Sequence, residues 1–206
     1  MDRDLAHFTE GLSEVFARMA RALKPGAPLA FTYHHNKLDA YSPVAVAILD
    51  SGLVCSAALP CPAEMGGSIH IHSTASSIVD TVFVCRGTGS VARRWLVKTP
   101  EEIAGLVNEE LEYLRLGGVR VTLGDARCMA FGHVIRMVVW RLRKRWDRSA
   151  GWEAKLEAIE RAVGEMGGFA AVEEHLDPAG ELATRRAGEI REPEAVYYAG
   201  DDAVSF

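Results

Sequence analysis

The first 90 residues alternate helical and extended patterns in an order that strongly restricts the fold. Between residues 2 and 23, apolar side chains recur every three or four positions, which predicts an amphipathic helix lying on a core. Lys24-Pro25-Gly26 ends this helix, because the residue before a proline avoids the helical conformation and glycine tolerates a reversed backbone. A strand follows over residues 28–33. Its start is apolar on both faces, which predicts helices on each side of it.

A second helix and two more strands complete this region. Ser42 is the expected N-cap of the helix, with Pro43 in its first turn and Gly52 at its end. Strands are predicted over residues 53–59 and 77–85. The order helix, strand, helix, strand, strand indicates an α/β sheet whose closing pair forms an antiparallel edge on an otherwise parallel sheet.

The remainder of the chain is predicted to be helical and then polar. Thr99 and Glu102 form a capping-box pattern that begins a helix reaching residue 116, and Thr122 with Asp125 is a weaker version of the same pattern. Further helices are expected up to residue 146 and over residues 152–166. We therefore divide the chain into an α/β region (1–90), a helical region (91–176) and an acidic, loosely ordered tail (177–206).

Charge and cysteine content narrow the class of protein. The net charge is −5, but residues 1–152 are mildly basic, which permits a nucleic-acid partner. No apolar run is long enough for a membrane span, and the charged N-terminus does not resemble a secretory signal. The cysteines, Cys55, Cys61, Cys85 and Cys128, show no C-x-x-C spacing and are expected to be reduced thiols. These features predict a cytoplasmic protein.

Several short motifs carry a family resemblance. They are Leu23-Lys24-Pro25-Gly26, Phe31-Thr32-Tyr33-His34-His35-Asn36-Lys37, and Ala75-Ser76-Ser77-Ile78 leading into Phe83-Val84-Cys85-Arg86. Together they resemble the C-terminal part of a family of adenine-specific DNA methylases that use S-adenosylmethionine. The resemblance implies that the three strands are the fifth, sixth and seventh of a Rossmann-like methyltransferase sheet. It extends more weakly to Gly124-Asp125-Ala126-Arg127 and Phe131-Gly132-His133.

Two motifs implied by the resemblance are missing from the chain. Enzymes of this class hold the target amine with a motif of the Asp-Pro-Pro-Tyr type and the cofactor on a glycine-rich turn after the first strand. Tyr41-Ser42-Pro43-Val44 lacks the second proline and the aromatic residue, and Gly87-Thr88-Gly89 is not followed by a third glycine or a clear helix. We therefore expect a C-terminal methyltransferase portion that neither binds S-adenosylmethionine nor transfers a methyl group alone. DNA and an upstream methyltransferase half or subunit are the expected partners.

Candidate site residues follow the first strand. Tyr33, His34 and His35 lie at its predicted carboxyl end, where such folds place their sites, so one of them is a candidate for the target-base pocket. The alternative is that one ring packs under the next helix and another is solvated. His70 and His72 alternate in a glycine-rich segment that could contact DNA. No carboxylate or cysteine stands clearly beside them, so no metal site is predicted.

A second candidate site is the most basic stretch of the chain. Arg141, Arg143, Lys144 and Arg145 lie between Trp140 and Trp146, a pattern that suits contacts with nucleic-acid phosphates. The alternative is a solvated helix end where cations complement the helix dipole. If the basic stretch binds, the rival function is a non-catalytic nucleic-acid or partner-binding module.

Overall fold

The computed structural model describes residues 3–62, 77–180 and 203–206. Its helices are α1 (Arg3–Ala22), α2 (Ser42–Asp50), α3 (Pro100–Leu116), α4 (Leu123–Leu142), α5 (Trp152–Gly164) and α6 (Gly168–Glu173). Its strands are β1 (Leu29–Tyr33), β2 (Val54–Pro62), β3 (Val79–Arg86), β4 (Ser90–Ala92) and β5 (Ala203–Ser205). Short 3-10 turns cover Leu38–Tyr41 and Arg93–Trp95. The protein is therefore a mixed α/β structure.

β3 is the central strand of the main sheet. The strand order is β1-β3-β2, and β3 is antiparallel to both neighbours. β1 and β2 consequently run in the same direction and do not pair with each other. The predicted antiparallel closing pair is present as β2–β3, but no parallel ladder exists among the described strands.

The helices cover one face of this sheet. Alternate residues of β3 are buried, from Val79 to Cys85, as is typical of an antiparallel sheet with one packed face. β1 alternates in the same way, and its Ala30 and Thr32 are exposed. The expectation that helices cover β1 on both sides is therefore wrong for the described part of the chain. The apolar start of β1 was misleading because alanine at position 30 can face water at little cost.

Aromatic rings connect the helical layer to the sheet. The Phe16 ring of α1 meets the Phe31 ring edge-on at a centroid distance of 4.9 Å, and Phe31 stacks on Phe83 at 5.3 Å. Tyr41, fully buried before α2, contacts Phe131 of α4 at 5.5 Å. A single apolar core therefore includes α1, α2, α4 and the sheet.

α4 is the central helix of this core and packs on both β2 and β3. Gly132 allows the close approach, since a Cβ there would lie 2.6 Å from the Thr81 Cγ2 atom. The helix ends at Leu142, four residues earlier than residue 146, and Arg143 to Arg145 form a turn. The basic residues therefore lie at a helix end rather than along one face.

Helix starts follow the local sequence in two cases and depart from it in a third. Both capping boxes are formed, by Thr99 with Glu102 and by Thr122 with Asp125. Ser42 is not an N-cap, because the preceding 3-10 turn makes Tyr41 the cap and places Ser42 inside α2. Within the described residues, none of the helices has the length and apolarity that crossing a bilayer requires.

The last four residues return to the folded body. β5 pairs with β4 in an antiparallel ladder that joins Val204 to Val91, and the Phe206 ring meets Trp140 at 5.8 Å. The sequence did not predict this pairing, because neither three-residue strand has a recognisable pattern of its own.

Candidate functional site

His34 is the most accessible polar ring at the carboxyl end of β1. Its Nδ1 atom lies 3.2 Å from the Val79 carbonyl oxygen and 3.5 Å from Asp80 Oδ1, and its side chain is about one-third exposed. A carbonyl oxygen can only accept, so Nδ1 carries the proton in this contact. In the neutral ring, Nε2 is therefore the acceptor, and it is the atom available to a ligand.

His35 and Tyr33 have structural partners instead. The His35 backbone N–H donates to the Tyr41 hydroxyl at 3.3 Å, and its ring Nδ1 accepts from the Lys37 N–H at 3.1 Å. Tyr33 donates its hydroxyl to the Ala40 carbonyl at 2.8 Å, and burial raises the pKa of this phenol. Of the three candidates, His34 is thus the one whose ring is open to a ligand.

Asp125 stabilises the sheet end beside His34. The carboxylate is fully buried, and its Oδ2 accepts from both the backbone and the hydroxyl of Thr122 at 2.7 Å. Its Oδ1 accepts from the Ser77 hydroxyl at 2.8 Å and from the Ile78 N–H at 2.7 Å. The sequence indicated the cap but not this link, which joins the start of α4 to the start of β3.

Cys128 lies on the first turns of α4, under the same segment. Its thiol contacts the His35 carbonyl oxygen at 3.5 Å, and burial raises its pKa. Cys55 and Cys85 stand opposite each other in the sheet, and a thiol–thiol hydrogen bond with burial raises the pKa of Cys85. All four cysteines are free, and Cys61 is the exposed one. The buried thiols are poor nucleophiles and act as core residues.

The motif around His133 also has a structural role. His133 is buried in α4, and its Nε2 lies 2.9 Å from Glu110 Oε2 of α3. This pair joins two helices inside the core and has no opening to solvent at His133. The resemblance around Phe131-Gly132-His133 therefore falls on residues that hold the helices together.

The four basic candidates divide into two groups. Arg141 pairs with Glu165 at 3.1 Å, and the Arg143 guanidinium lies 3.6 Å from the Trp140 ring centroid while burial lowers its pKa. Lys144 and Arg145 are exposed. Lys144 and Arg145 are therefore the two candidates whose side chains are most accessible to a binding partner.

A groove of about 340 Å³ runs between the end of α4 and α5. Arg145 and Trp146 line it from the segment after α4, and Ala154, Ala158 and Arg161 line it from α5. Arg161 is 20 positions from Arg141 in the sequence, and no local pattern could have placed it beside the basic turn.

The described residues bear on two kinds of site, a metal-ligand cluster and a cofactor-binding turn. In the described ranges, no three His, Cys, Asp or Glu side chains form a cluster suited to a metal ion, and His70 and His72 lie outside those ranges. Gly87-Thr88-Gly89 leads from β3 into β4 rather than into a helix. This turn does not fit S-adenosylmethionine, because the helix N-terminus that would follow a cofactor loop is missing there.

Comparison with protein-family models, with curated proteins and with solved structures found no match for this chain. Any functional assignment therefore rests on the sequence motifs and on the geometry described above.

Proposed function

We propose that this chain is the C-terminal portion of an S-adenosylmethionine-dependent DNA adenine methyltransferase. The supporting observation is the strand arrangement. A helix leads into β1, a helix joins β1 to β2, and β3 returns antiparallel between them. Codirectional strands joined through a helix, followed by one reversed strand, suit the fifth, sixth and seventh strands that the resemblance implies.

His34 is the residue we propose to line the target-base pocket. It follows β1 directly, and the carboxyl ends of codirectional strands are where open α/β sheets bind ligands. With Nδ1 bound to the Val79 carbonyl, Nε2 can accept a hydrogen bond from an exocyclic amine. The cofactor loop and the Asp-Pro-Pro-Tyr-type motif would then belong to another segment or polypeptide. A cytoplasmic location suits this assignment.

Calorimetric titration tests the first part of the proposal. S-adenosylmethionine added to this chain alone is expected to give no heat of binding, and tight binding would contradict the proposal. Adding a polypeptide that carries both missing motifs is expected to produce methylation of adenine in DNA. In that mixture His34→Ala should reduce the rate, whereas the control His7→Ala, on the exposed side of α1, should not. An equal methylation rate for both variants would show that His34 does not line the target-base pocket.

A second function is a nucleic-acid-binding module without catalysis. The observation that favours it is the exposure of Lys144 and Arg145 in the turn after α4, with Arg145 and Arg161 both lining the groove. If they contact phosphates, the double variant Lys144→Ala with Arg145→Ala should weaken DNA binding. The slope of the logarithm of the binding constant against the logarithm of the salt concentration should also fall, by about the contribution of two phosphate contacts. Arg141→Ala and Arg143→Ala should have smaller effects, since these side chains have partners within the chain. DNA binding that is unchanged in the first variant would rule out this module.

A further inference from the structure

The short strands β4 and β5 pair only with each other among the described strands. Val91 stands opposite Val204 in this ladder, and the Phe206 N–H extends it by donating to the Gly89 carbonyl oxygen at 3.0 Å. A ladder of two short strands is marginally stable at best in water. Residues 203–206 therefore depend on the surface beside β4 to stay in place. This surface and the segment it holds play no part in the proposed function.

The side chains of this segment alternate between the body of the protein and solvent. Val204 and Phe206 are two positions apart, so they share one face of the strand. Val204 is directly opposite Val91, which is 3% exposed, and both side chains lie on the same face of the ladder. Phe206 meets the Trp140 ring edge-on at 5.8 Å, whereas Ser205 is exposed. The segment is therefore held by an aliphatic and an aromatic residue, with a polar residue between them facing water.

The surface that receives Phe206 is built from the turn before β4 and from the last turns of α4. Gly89 has a φ of +145°, which L residues rarely adopt, and a Cβ there would lie 3.5 Å from the Phe206 Cζ atom. Glycine at this position therefore leaves room for the ring. Trp140 is held in turn by Arg143, whose guanidinium lies 3.6 Å from its ring centroid. The cavity left beside Val91 and Trp140 measures only about 10 Å³, so this surface is well packed.

We propose that β4, Gly89 and Trp140 form a binding site for an extended peptide of another protein, with residues 203–206 as its internal ligand. The peptide carries an aliphatic residue two positions before an aromatic residue, as Val204 and Phe206 do. Strand addition of this kind takes its affinity from main-chain hydrogen bonds and its specificity from alternate side chains. Attachment to the same chain raises the effective concentration of the internal ligand, so a partner has to displace it. The proposal does not depend on the methyltransferase assignment.

Fluorescence anisotropy with a labelled peptide of the sequence of residues 200–206 tests the site. In the full-length chain, Val204→Asp with Phe206→Ala should release the internal ligand, and this released variant should bind the peptide. The wild-type chain should bind it about tenfold more weakly, because its site is occupied. The control Ser205→Ala, at the exposed position, should behave as the wild type does. No binding to a released variant that keeps its helical circular dichroism, or equal binding to it and to the wild type, would overturn the proposal.

Side-chain specificity is tested on both partners. A peptide with alanine in place of its aromatic residue should bind the released variant about tenfold more weakly. Trp140→Leu added to the released variant should also weaken binding, whereas Tyr113→Leu, the same kind of change at an exposed position of α3, should not. Equal affinity for the two peptides would overturn the proposal, because the aromatic residue would then not be recognised.

Hydrogen exchange in the wild-type chain gives a test that needs no variant. Unlabelled peptide at about millimolar concentration, comparable to the effective concentration of a tethered segment, should accelerate amide exchange in residues 203–206. The alanine-containing peptide should accelerate it much less. Exchange that neither peptide changes would show that the internal ligand is a fixed part of the fold and would overturn the proposal.

Discussion

Replacing Asp125 should destabilise the protein far more than replacing an equivalent cap residue on the surface. Asp125→Ala removes the N3 partner of the α4 capping box, which is worth about 1 kcal/mol. It also leaves the Ile78 N–H without its acceptor in a partly buried place, at a cost of about 1–3 kcal/mol. Ser77 loses little, because its hydroxyl also lies 3.1 Å from the Val79 carbonyl. We therefore expect a loss of about 2–4 kcal/mol in the free energy of unfolding.

The chain contains its own control for this prediction. Glu102 occupies the same N3 position in the α3 capping box, but its acceptor bonds from the Lys98 and Thr99 backbones are exposed. Water can replace them, so Glu102→Ala should cost about 0.5–1 kcal/mol. Asp125→Asn keeps one acceptor oxygen and should fall between the two alanine variants.

Urea unfolding followed by circular dichroism measures these differences. The midpoint should fall in the order Glu102→Ala, Asp125→Asn, Asp125→Ala, with similar slopes. Equal losses for the two alanine variants would show that the bond from Asp125 to the start of β3 contributes nothing. The link between α4 and the sheet would then depend on apolar contacts alone.

Three further predictions concern the core. Gly132→Ala should lower the free energy of unfolding, measured by heat or urea, by about 1–3 kcal/mol, because the added Cβ meets Thr81. Gly105→Ala, with nothing within 4 Å of its Cβ, should be neutral or stabilising. Equal effects of the two substitutions would contradict the close α4–β3 packing. Cys61 should react first with a thiol reagent in the native protein, and rapid labelling of all four cysteines without unfolding would refute the burial of the others. Burial raises the pKa of Tyr41, so the free energy of unfolding is unaffected by this phenol below its ordinary pKa of 10.0 and falls as the pH rises above that value. Tyr41→Phe should therefore make the protein less sensitive to alkaline pH. An unchanged midpoint of alkaline unfolding would contradict this.

Most helices could be predicted because their signals are local. The capping boxes of α3 and α4 involve residues three positions apart, and Pro25-Gly26 ends α1 through backbone restrictions of its own. The end of α4 was misplaced, since the Trp140-to-Trp146 segment keeps a helical pattern while the chain turns after Leu142.

The candidate site was predictable only in part. The motif after β1 pointed to Tyr33, His34 and His35, but their partners decide their roles. Tyr33 and His35 bond mainly to residues within seven positions, whereas the contacts of His34 come from residues 79 and 80 on β3, far along the chain. Arg141 and Arg143 illustrate the same limit. A count of positive charges in the sequence does not show that Arg141 pairs with Glu165 or that Arg143 lies over the Trp140 ring.

The amino-acid sequence by itself determined where most helices and the three strands of the main sheet form, because periodicity, capping and turn residues act over a few positions. Tertiary structure alone decided that β3 lies between β1 and β2, that one sheet face is packed, and that Asp125 binds the start of β3. The physical reason is distance along the chain. Strand order, face coverage and buried hydrogen bonds join residues dozens of positions apart, and no short stretch of sequence specifies such a pair.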